Sequence, residues 1–461
     1  MRTVAAPGFA GWIGVARRDV TPPLGIAQNA WGPATERRST GVHRPLTLTA
    51  LALRDAPDAD PLVLVAFDGS WWRAREDEWH VRSAVVEAVG GDEGRAVVHL
   101  SHSHSAPLLT RAARDWPGGE LVAPYLDMLR DAAAAAAREA IAGTVPATLT
   151  WATGRSAVAG ARDLTVDGRP LIGWNPDAPA DDTLLAGRVA AADGTVLATL
   201  VNYACHPTTL AWQNGLTSPD YVGALRETVE AETGGAPCLF LLGAAGELAP
   251  REQYVGDVAV ADRHGRAIGH AALAALAELQ PAGGALALHP AVESGAPLAP
   301  WWPVEHAFPT RLATTVAAFE LPLKPQPTLA ELEERWAGID PLSRAERLRR
   351  AAEMRTTFGD GPTVPWRVWV WQLGDALLVA QSGEAYSAFQ RELRRRHPDR
   401  AVAVLNLANW SGPAYLPPAE LYAKDDAYTV WQTPLAAGCL EQTIDAAAAA
   451  AARLTGMEEA A

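Results

Sequence analysis

The chain has 461 residues, 49% of them apolar and 20% charged, which is the composition of a globular protein and excludes a disordered chain. Its 39 basic and 53 acidic residues give a formal charge of -14, which disfavours polyphosphate and excludes nucleic acid as an expected partner. The three cysteines are too scattered for a disulfide framework or a cysteine-rich metal site, so we expect buried thiols in a reducing compartment: Cys205, Cys238 and Cys439.

The N-terminal segment lacks the sustained apolar core of a signal peptide, because Gly8, Gly11 and Gly14 interrupt it. No window approaches the ~20 apolar residues that a membrane span requires. We therefore expect a cytoplasmic protein without a membrane span.

Short apolar runs bounded by turn-forming residues recur along the chain and are predicted as buried strands. These runs are 46–55, 62–70, 96–103, 196–206, 238–246, 364–384 and 401–409. Helical patterns lie among them, at 124–143, 221–234, 262–279 and 384–397. Strands that alternate with helices predict an α/β protein.

Segment 328–358 is charged, helical in pattern and broken at Pro341, which predicts a helical insertion between strand-rich regions. Because strand patterns both precede and follow it, we predict one discontinuous domain over residues 1–461 rather than two separate domains. The alanine run 446–451 predicts a terminal helix.

Three of the 11 histidines fall within residues 99–104. Side chains alternate between the faces of a strand, so a strand ending near Leu100 would leave His102 and His104 pointing the same way. Pro107 then prevents continuation of the strand, which places both imidazoles at a strand end, where α/β proteins build their sites. This predicts a metal ligand beside an acid/base group, and the alternative is a pair of surface histidines. His99 is predicted as a buried strand residue.

His206 also follows a buried strand pattern and precedes Pro207, which places it at another strand end. A lone histidine there is often structural. Glu384 and Tyr415 are equally ambiguous by themselves, since carboxylates are common at strand ends and a Tyr in the Pro-rich segment 412–418 fits simple packing.

Taken together, the motifs resemble the neutral/alkaline non-lysosomal ceramidase family along nearly the whole chain. Ser-His-Ser-His-Ser-Ala-Pro at 101–107 is similar to the family's Thr-His-Thr-His-Ser-Gly-Pro signature, and 202–210 is similar to its second histidine segment. Further segments that resemble the family are 15–26, 40–55, 218–225, 239–250, 382–396 and 407–422.

The resemblance implies mixed β-sheet layers flanked by helices and a zinc ion (Zn2+) held by four side chains: His102, His206, Glu384 and Tyr415. Imidazoles and a carboxylate suit zinc. It also implies cleavage of a C–N amide bond in a small-molecule substrate by a metal-bound water. His104 is then predicted to donate to the oxyanion or to shuttle a proton, and Tyr415 to complete the site or stabilise the tetrahedral intermediate.

Asp220 falls where the family places polar active-site residues, and there it would orient His206. The alternative is a cap on the helix predicted to begin near Tyr221.

The sequence departs from the family in two places. Ala249 stands where the ceramidases have a serine discussed as catalytic, so no serine-dependent step is expected from this position. We also expect neither the C-terminal immunoglobulin-like domain nor a signal peptide, and both expectations argue against a secreted enzyme acting on membrane sphingolipid. The alternatives are ester or lactone cleavage at the same zinc site, true ceramidase activity, or a non-catalytic metal-binding relative.

Tryptophan is abundant, with 17 residues. Two Trp pairs are predicted either to wall a pocket or to pack in the core: Trp71–Trp72 and Trp301–Trp302. The sequence offers no basis for predicting an oligomeric state.

Overall fold

An eight-stranded mixed sheet lies at the centre of the fold in the computed structural model, which describes residues 2–28, 31–410, 412 and 414–456. Its strands are β1 Gly8–Asp19, β2 Thr47–Arg54, β3 Leu62–Phe67, β4 Ala96–Leu100, β5 Val145–Arg155, β6 Thr183–Ala191, β7 Val196–Tyr203 and β8 Cys238–Leu242. They lie in the order β8-β7-β6-β5-β1-β2-β3-β4. The outer pairs β3–β4 and β7–β8 are parallel, and the inner pairs are antiparallel.

A four-stranded sheet packs on one face of the eight-stranded sheet. Its strands are β9 Leu312–Pro322, β10 Thr363–Leu373, β11 Ala376–Gln381 and β12 Ala401–Leu405, in that order, with β11 and β12 parallel. Buried side chains of both sheets fill the space between them, among them Leu51, Leu64, Leu200, Trp371 and Leu378. Each such side chain contributes roughly 1.5–3 kcal/mol by leaving water.

Helices cover the outer faces of both sheets. The other face of the eight-stranded sheet packs on α1 Arg75–Ala88, α2 Val122–Ala142, α3 Tyr221–Glu232 and α4 Val258–Ala277. Between β9 and β10 the chain forms α5 Leu329–Arg335 and α6 Pro341–Phe358. The outer face of the four-stranded sheet packs on α7 Ala388–Arg396 and α9 Cys439–Thr455, and the short α8 Tyr428–Trp431 lies between these in sequence. The predicted α/β fold of sheet layers flanked by helices is confirmed.

Short strands outside the two sheets complete the fold. They are Thr3–Val4, Gly41–Val42, Ala159–Ala161, Asp163–Val166, Arg169–Ile172, Leu216–Thr217, Leu248–Pro250, Gly284–Leu288, Trp301–Glu305, Glu384–Ala385 and Tyr415–Leu416. One boundary differs from the prediction, since the helix predicted over 384–397 begins only at Ala388. Glu384 therefore lies on a short strand.

Local interactions explain where α5 and α6 each begin. Thr328 caps α5 by accepting from the backbone of Glu331, whose side chain accepts from the backbone of Thr328 in return. Pro341 is the first residue of α6, where its missing N–H leaves no bond unmade, and Asp340 caps that helix through the Ser343 amide. The break predicted at Pro341 is thus the start of a second helix.

Side-chain hydrogen bonds join the two sheets near the functional centre. Asn202 donates through Nδ2 to the carbonyl oxygens of Leu241 and Val404, at 2.9 and 2.8 Å. Asn409 accepts from the Val98 amide and donates to the Ala96 carbonyl, each at 2.8 Å, so it pairs with the free edge of β4. These amides join β7 and β8 to β12, and the loop after β12 to β4.

Candidate metal centre

Each predicted metal ligand follows a strand that belongs to a parallel pair. His102 follows β4, His206 follows β7, and Glu384 follows β11 on the short strand Glu384–Ala385. That short strand pairs in parallel with Tyr415–Leu416, so Glu384 lies directly opposite Tyr415. The backbone therefore brings together four residues that are distant in sequence.

His102, His206 and Glu384 form a compact buried group. Their ligand atoms all lie within 4.8 Å of one another. Oε2 of Glu384 is 2.9 Å from Nε2 of His206 and 3.4 Å from Nε2 of His102. The three residues are 2%, 1% and 6% exposed, respectively, for His102, His206 and Glu384, so water competes little for these atoms.

Backbone carbonyls determine which ring nitrogen of each histidine faces the centre. Nδ1 of His102 lies 2.8 Å from the Ser70 carbonyl oxygen, and Nδ1 of His206 lies 2.6 Å from that of Ala245. A carbonyl oxygen can only accept, so Nδ1 carries the proton in both rings and the lone pair of each neutral ring is on Nε2. Both lone pairs therefore point toward the Glu384 carboxylate.

The protonation states match a cation site. Burial, followed by the charge of Arg162, lowers the pKa of His206 to about 3. Burial alone would raise the pKa of Glu384, but positive charge on the neighbouring imidazoles outweighs burial and holds that pKa well below its usual range, and a bound cation would supply such charge while both rings stay neutral. Two imidazole lone pairs and a carboxylate repel one another unless a cation lies among them. This nitrogen and oxygen donor set suits zinc.

Tyr415 lies beside this group. Its ring stacks over that of His206 with centroids 6.4 Å apart, and its hydroxyl is 3.1 Å from Nη2 of Arg162. Burial and the Glu384 charge raise its pKa well above the usual value, so the phenol is neutral. Its role as a fourth ligand stays a prediction.

His104 contacts the centre through His102. The two Nε2 atoms are 3.3 Å apart, and the ring centroids are 4.7 Å apart. Burial and the neighbouring histidines lower the pKa of His104 well below its ordinary value, so the ring is neutral at pH 7. This position fits a proton-transfer group. The two rings point the same way, as predicted, but strand alternation is not the cause. The strand ends at Leu100, and His102 has a left-handed φ of 69°, so a loop turns both rings inward.

His99 has a purely structural environment. It is 0% exposed, and its Nε2 accepts from the Leu242 amide at 2.8 Å. This bond links edge strands β4 and β8, which stand at opposite ends of the strand order. The eight-stranded sheet therefore curls so far that its two edges meet at this bond. The predicted buried strand position is confirmed.

The contacts of Asp220 match the predicted helix cap rather than the predicted orientation of His206. Its carboxylate accepts from the backbone amides of Leu210 and Tyr221, at 2.8 and 2.7 Å. His206 is oriented by the Ala245 carbonyl instead. The structure thus gives Asp220 a place at the start of α3, bracing the loop that follows His206.

Arg162 is a residue that sequence reasoning missed. It is 4% exposed, and its Nη2 lies 2.8 Å from the Gly246 carbonyl oxygen, 3.1 Å from His206 Nε2 and 3.1 Å from the Tyr415 hydroxyl. Burial alone lowers its pKa, but Tyr415 and its neighbours raise it above the ordinary value, so the guanidinium stays charged. Its local sequence, Ala-Gly-Ala-Arg-Asp, carries no motif that would have identified it.

Ala249 provides no reactive group to the centre. It lies on Leu248–Pro250, which pairs with Ala159–Ala161 so that Ala249 faces Gly160. The Leu248 carbonyl accepts from the His206 amide at 2.9 Å. This segment therefore supports His206 and Arg162 through its backbone.

Aromatic side chains surround His104. Its ring centroid is 5.1 Å from that of Trp31 and 5.1 Å from that of Trp71. The two predicted Trp pairs behave differently, because Trp71 contacts the centre whereas Trp72 is core at 1% exposure. Trp301 and Trp302 lie on a peripheral strand, are 37% and 53% exposed, and Trp302 packs on His289.

Over the described ranges, none of the helices is both long and apolar enough to cross a membrane.

Comparisons with known proteins identify the fold. Neither the protein-family models nor the curated proteins match the chain. Among solved structures, the neutral ceramidase from Pseudomonas aeruginosa aligns with a TM-score of 0.69 at 16% identity, over 98% of this chain and 75% of that one. A ceramidase complexed with C2 aligns with a TM-score of 0.69 at 15% identity, over 97% of this chain and 76% of that one. The resemblance seen in the sequence is confirmed, and the chain has the neutral-ceramidase fold.

Proposed function

We propose that this protein is a zinc-dependent hydrolase that cleaves a C–N amide bond in a small-molecule substrate. The observation that carries the proposal is the buried group of His102, His206 and Glu384, whose lone pairs converge beside the charged Arg162. The ceramidase-like fold supports the same reaction class.

Zinc would be held by His102, His206 and Glu384, with Tyr415 as the proposed fourth ligand. When bound, zinc supplies Lewis acidity that polarises a carbonyl and acidifies water. The carbonyls of Ser70 and Ala245 keep both rings in the tautomer that binding requires.

The remaining groups would handle the charge and the protons of the reaction. Water adds to the amide carbonyl carbon, and the negative charge that develops on the carbonyl oxygen is stabilised by Arg162 and the neutral Tyr415 hydroxyl. The neutral His104 takes the proton that the attacking water loses, and it returns that proton to the leaving amine as the C–N bond breaks. Ala249 has no hydroxyl, so no acyl-enzyme forms at that position, and water is the nucleophile.

The proposal is tested by metal analysis together with hydrolysis assays. We expect about one zinc per chain in the purified protein, loss of amidase activity on chelation and recovery on addition of zinc. Full activity in the metal-free protein would contradict the proposal. Matched amide and ester substrates separate the two bond classes, because rapid ester cleavage with no amide cleavage would assign the site to ester or lactone hydrolysis.

A further inference from the structure

Charged side chains of helix α6, together with two arginines from other segments, form a group next to the aromatic residues that border the metal centre. We call it the arginine layer, and it consists of Arg37, Arg73, Arg349, Arg350, Glu346 and Glu353. Arg349 and Arg350 pair with Glu346, and Arg73 and Arg349 pair with Glu353. These six side chains comprise four guanidinium groups and two carboxylates, so their formal charges sum to +2.

Arg350 lies between two aromatic residues that themselves touch the centre. Its guanidinium carbon is 5.6 Å from the Trp71 ring centroid, and the Trp71 ring in turn is 5.1 Å from that of His104. On the other side, its Nη1 donates to the Tyr428 hydroxyl at 3.2 Å, and the Tyr428 ring is 5.6 Å from that of Tyr415. Arg350 therefore spans the space between the proposed proton donor and the proposed fourth ligand.

Arg350 is also accessible, whereas Arg73 is enclosed. The Arg350 side chain is 17% exposed and that of Arg73 is 2% exposed. The Arg73 guanidinium carbon lies 4.8 Å from the centroid of the same Trp71 ring. Nε and Nη2 of Arg73 have no hydrogen-bond partner within the part of the chain that the structure describes. Buried donors of this kind are normally satisfied, so the layer retains hydrogen-bonding capacity that its own two carboxylates do not use.

The layer contrasts with the charge of the whole chain, which is formally -14. Positive groups held near a water-poor site attract an anion strongly, because the local dielectric is low. The planar guanidinium fork matches a carboxylate through two parallel hydrogen bonds.

We propose that the arginine layer binds a carboxylate of the substrate, so that the enzyme acts on anionic amides. This inference rests on the proposed amidase function and specifies its substrate class. The purely structural interpretation is that the layer only fastens α6 to the body of the protein. That role would affect charged and neutral substrates alike.

The test compares two amides that differ only beyond the scissile bond. N-octanoylglycine carries a carboxylate, and N-octanoylethanolamine carries a hydroxymethyl group in its place. A second pair, N-octylsuccinamate and N-octyl-4-hydroxybutanamide, puts the same difference on the acyl side. We expect the zinc-loaded protein to prefer the anionic member of at least one pair by roughly ten- to a hundredfold in kcat/KM, the worth of a charge-assisted hydrogen bond.

Three variants locate the effect. Arg350→Gln is expected to remove most of the preference by lowering kcat/KM for the anionic member far more than for the neutral member, and Arg350→Lys to restore part of it. Arg347→Gln is the matched control, because Arg347 lies on the same helix but stacks on Trp336 and Trp431. That control removes the same charge and should leave the preference unchanged.

Calorimetry of the same four compounds with the metal-free protein separates this inference from the proposed function. Preferential binding of the anionic compounds, lost in Arg350→Gln, supports the carboxylate site even if no amide is hydrolysed. Equal binding and equal hydrolysis within each pair would overturn the inference while leaving the amidase function intact. An equal fall for both members in Arg350→Gln would also overturn it, in favour of the structural role.

Discussion

The metal centre and the arginine layer lie next to each other but are built on opposite principles. In the centre, each histidine has its outer nitrogen on a backbone carbonyl and its inner nitrogen on Glu384, so the group is oriented before any ligand arrives. In the layer, two donors of Arg73 are left without partners in the described chain, and the cations outnumber the anions. The first region therefore suits a single ion, and the second suits the charged group that we propose the substrate carries.

Removing a ligand should break the centre and have the largest effect. We expect His206→Ala and Glu384→Gln to lose zinc and to reduce kcat/KM by far more than the roughly 10- to 100-fold associated with an outer partner. The measurements are metal content by mass spectrometry and amidase kinetics. His270→Ala, on the exposed face of α4, is the control. Stoichiometric zinc in both ligand variants would show that the metal lies elsewhere.

His99 sharpens the comparison, because it lies within residues 99–104 together with His102 and His104 but is outside the centre. Burial lowers its pKa from 6.5 to about 3, so the unfolded chain binds a proton that the folded protein resists. Stability from this group is present above pH 6.5 and is lost as pH falls toward 3, to a total of about 5 kcal/mol. We expect His99→Gln to flatten the acid limb of the unfolding free energy, measured by urea denaturation from pH 7 to 4.

His206 has a similarly lowered pKa, so the acid limb should flatten without disappearing. The zinc content of His99→Gln should match that of the parent protein. Loss of zinc in this variant would place His99 in the centre and contradict the assignment.

Arg162 is like the arginine layer in being a guanidinium, but it lies inside the centre, against His206 and Tyr415. We expect Arg162→Gln to reduce kcat by roughly 10²- to 10³-fold, the effect of losing one oxyanion donor, with zinc retained. Arg162→Lys should recover part of the rate because it keeps the charge but not the fork. Parallel measurement of kcat, KM and melting temperature distinguishes the roles, since a fall in melting temperature with unchanged kcat would leave Arg162 a structural residue.

Asp220 should give the smallest effect on stability at neutral pH. Burial raises its pKa to about 6, so stability from this group is lost as pH rises from about 4 to 6. Asp220→Asn abolishes this pH-dependent loss of stability, which is about 3 kcal/mol. It also leaves one of the two backbone amides without an acceptor, which costs about 1–3 kcal/mol. The two effects nearly offset each other at pH 7.

The informative measurements for Asp220→Asn are therefore the pH dependence and the zinc affinity. We expect a flatter unfolding free energy between pH 4 and 6 and an unchanged affinity for zinc. A 10- to 100-fold weaker affinity would instead show that Asp220 orients His206, as the first interpretation had it.

Strand positions near the centre were readable from the sequence because buried strands are short apolar runs. The sequence pattern predicts the runs that form β2, β3, β4, β7 and β8, and it predicts His206 and Glu384 near strand ends. The long strands β1, β5, β6 and β9 were not predicted from periodicity, since their burial is mixed and their apolar pattern is broken. The short strand on which Glu384 lies is also missed, because the sequence pattern predicts a helix from residue 384.

The sequence by itself determined the α/β class, the identity of three side chains that form the candidate metal group, and the burial of His99, because these depend on local pattern and motif order. Only the tertiary structure decided that the sheet curls until β4 and β8 meet, that a left-handed residue turns His102 inward, and that the Asp220 carboxylate accepts from the Leu210 and Tyr221 amides. It also brought Arg162, which lies between two short strands, into the centre and placed Arg350 of α6 against Trp71 and Tyr428 beside it. Such placements depend on contacts between residues tens to hundreds of positions apart, which no local pattern encodes.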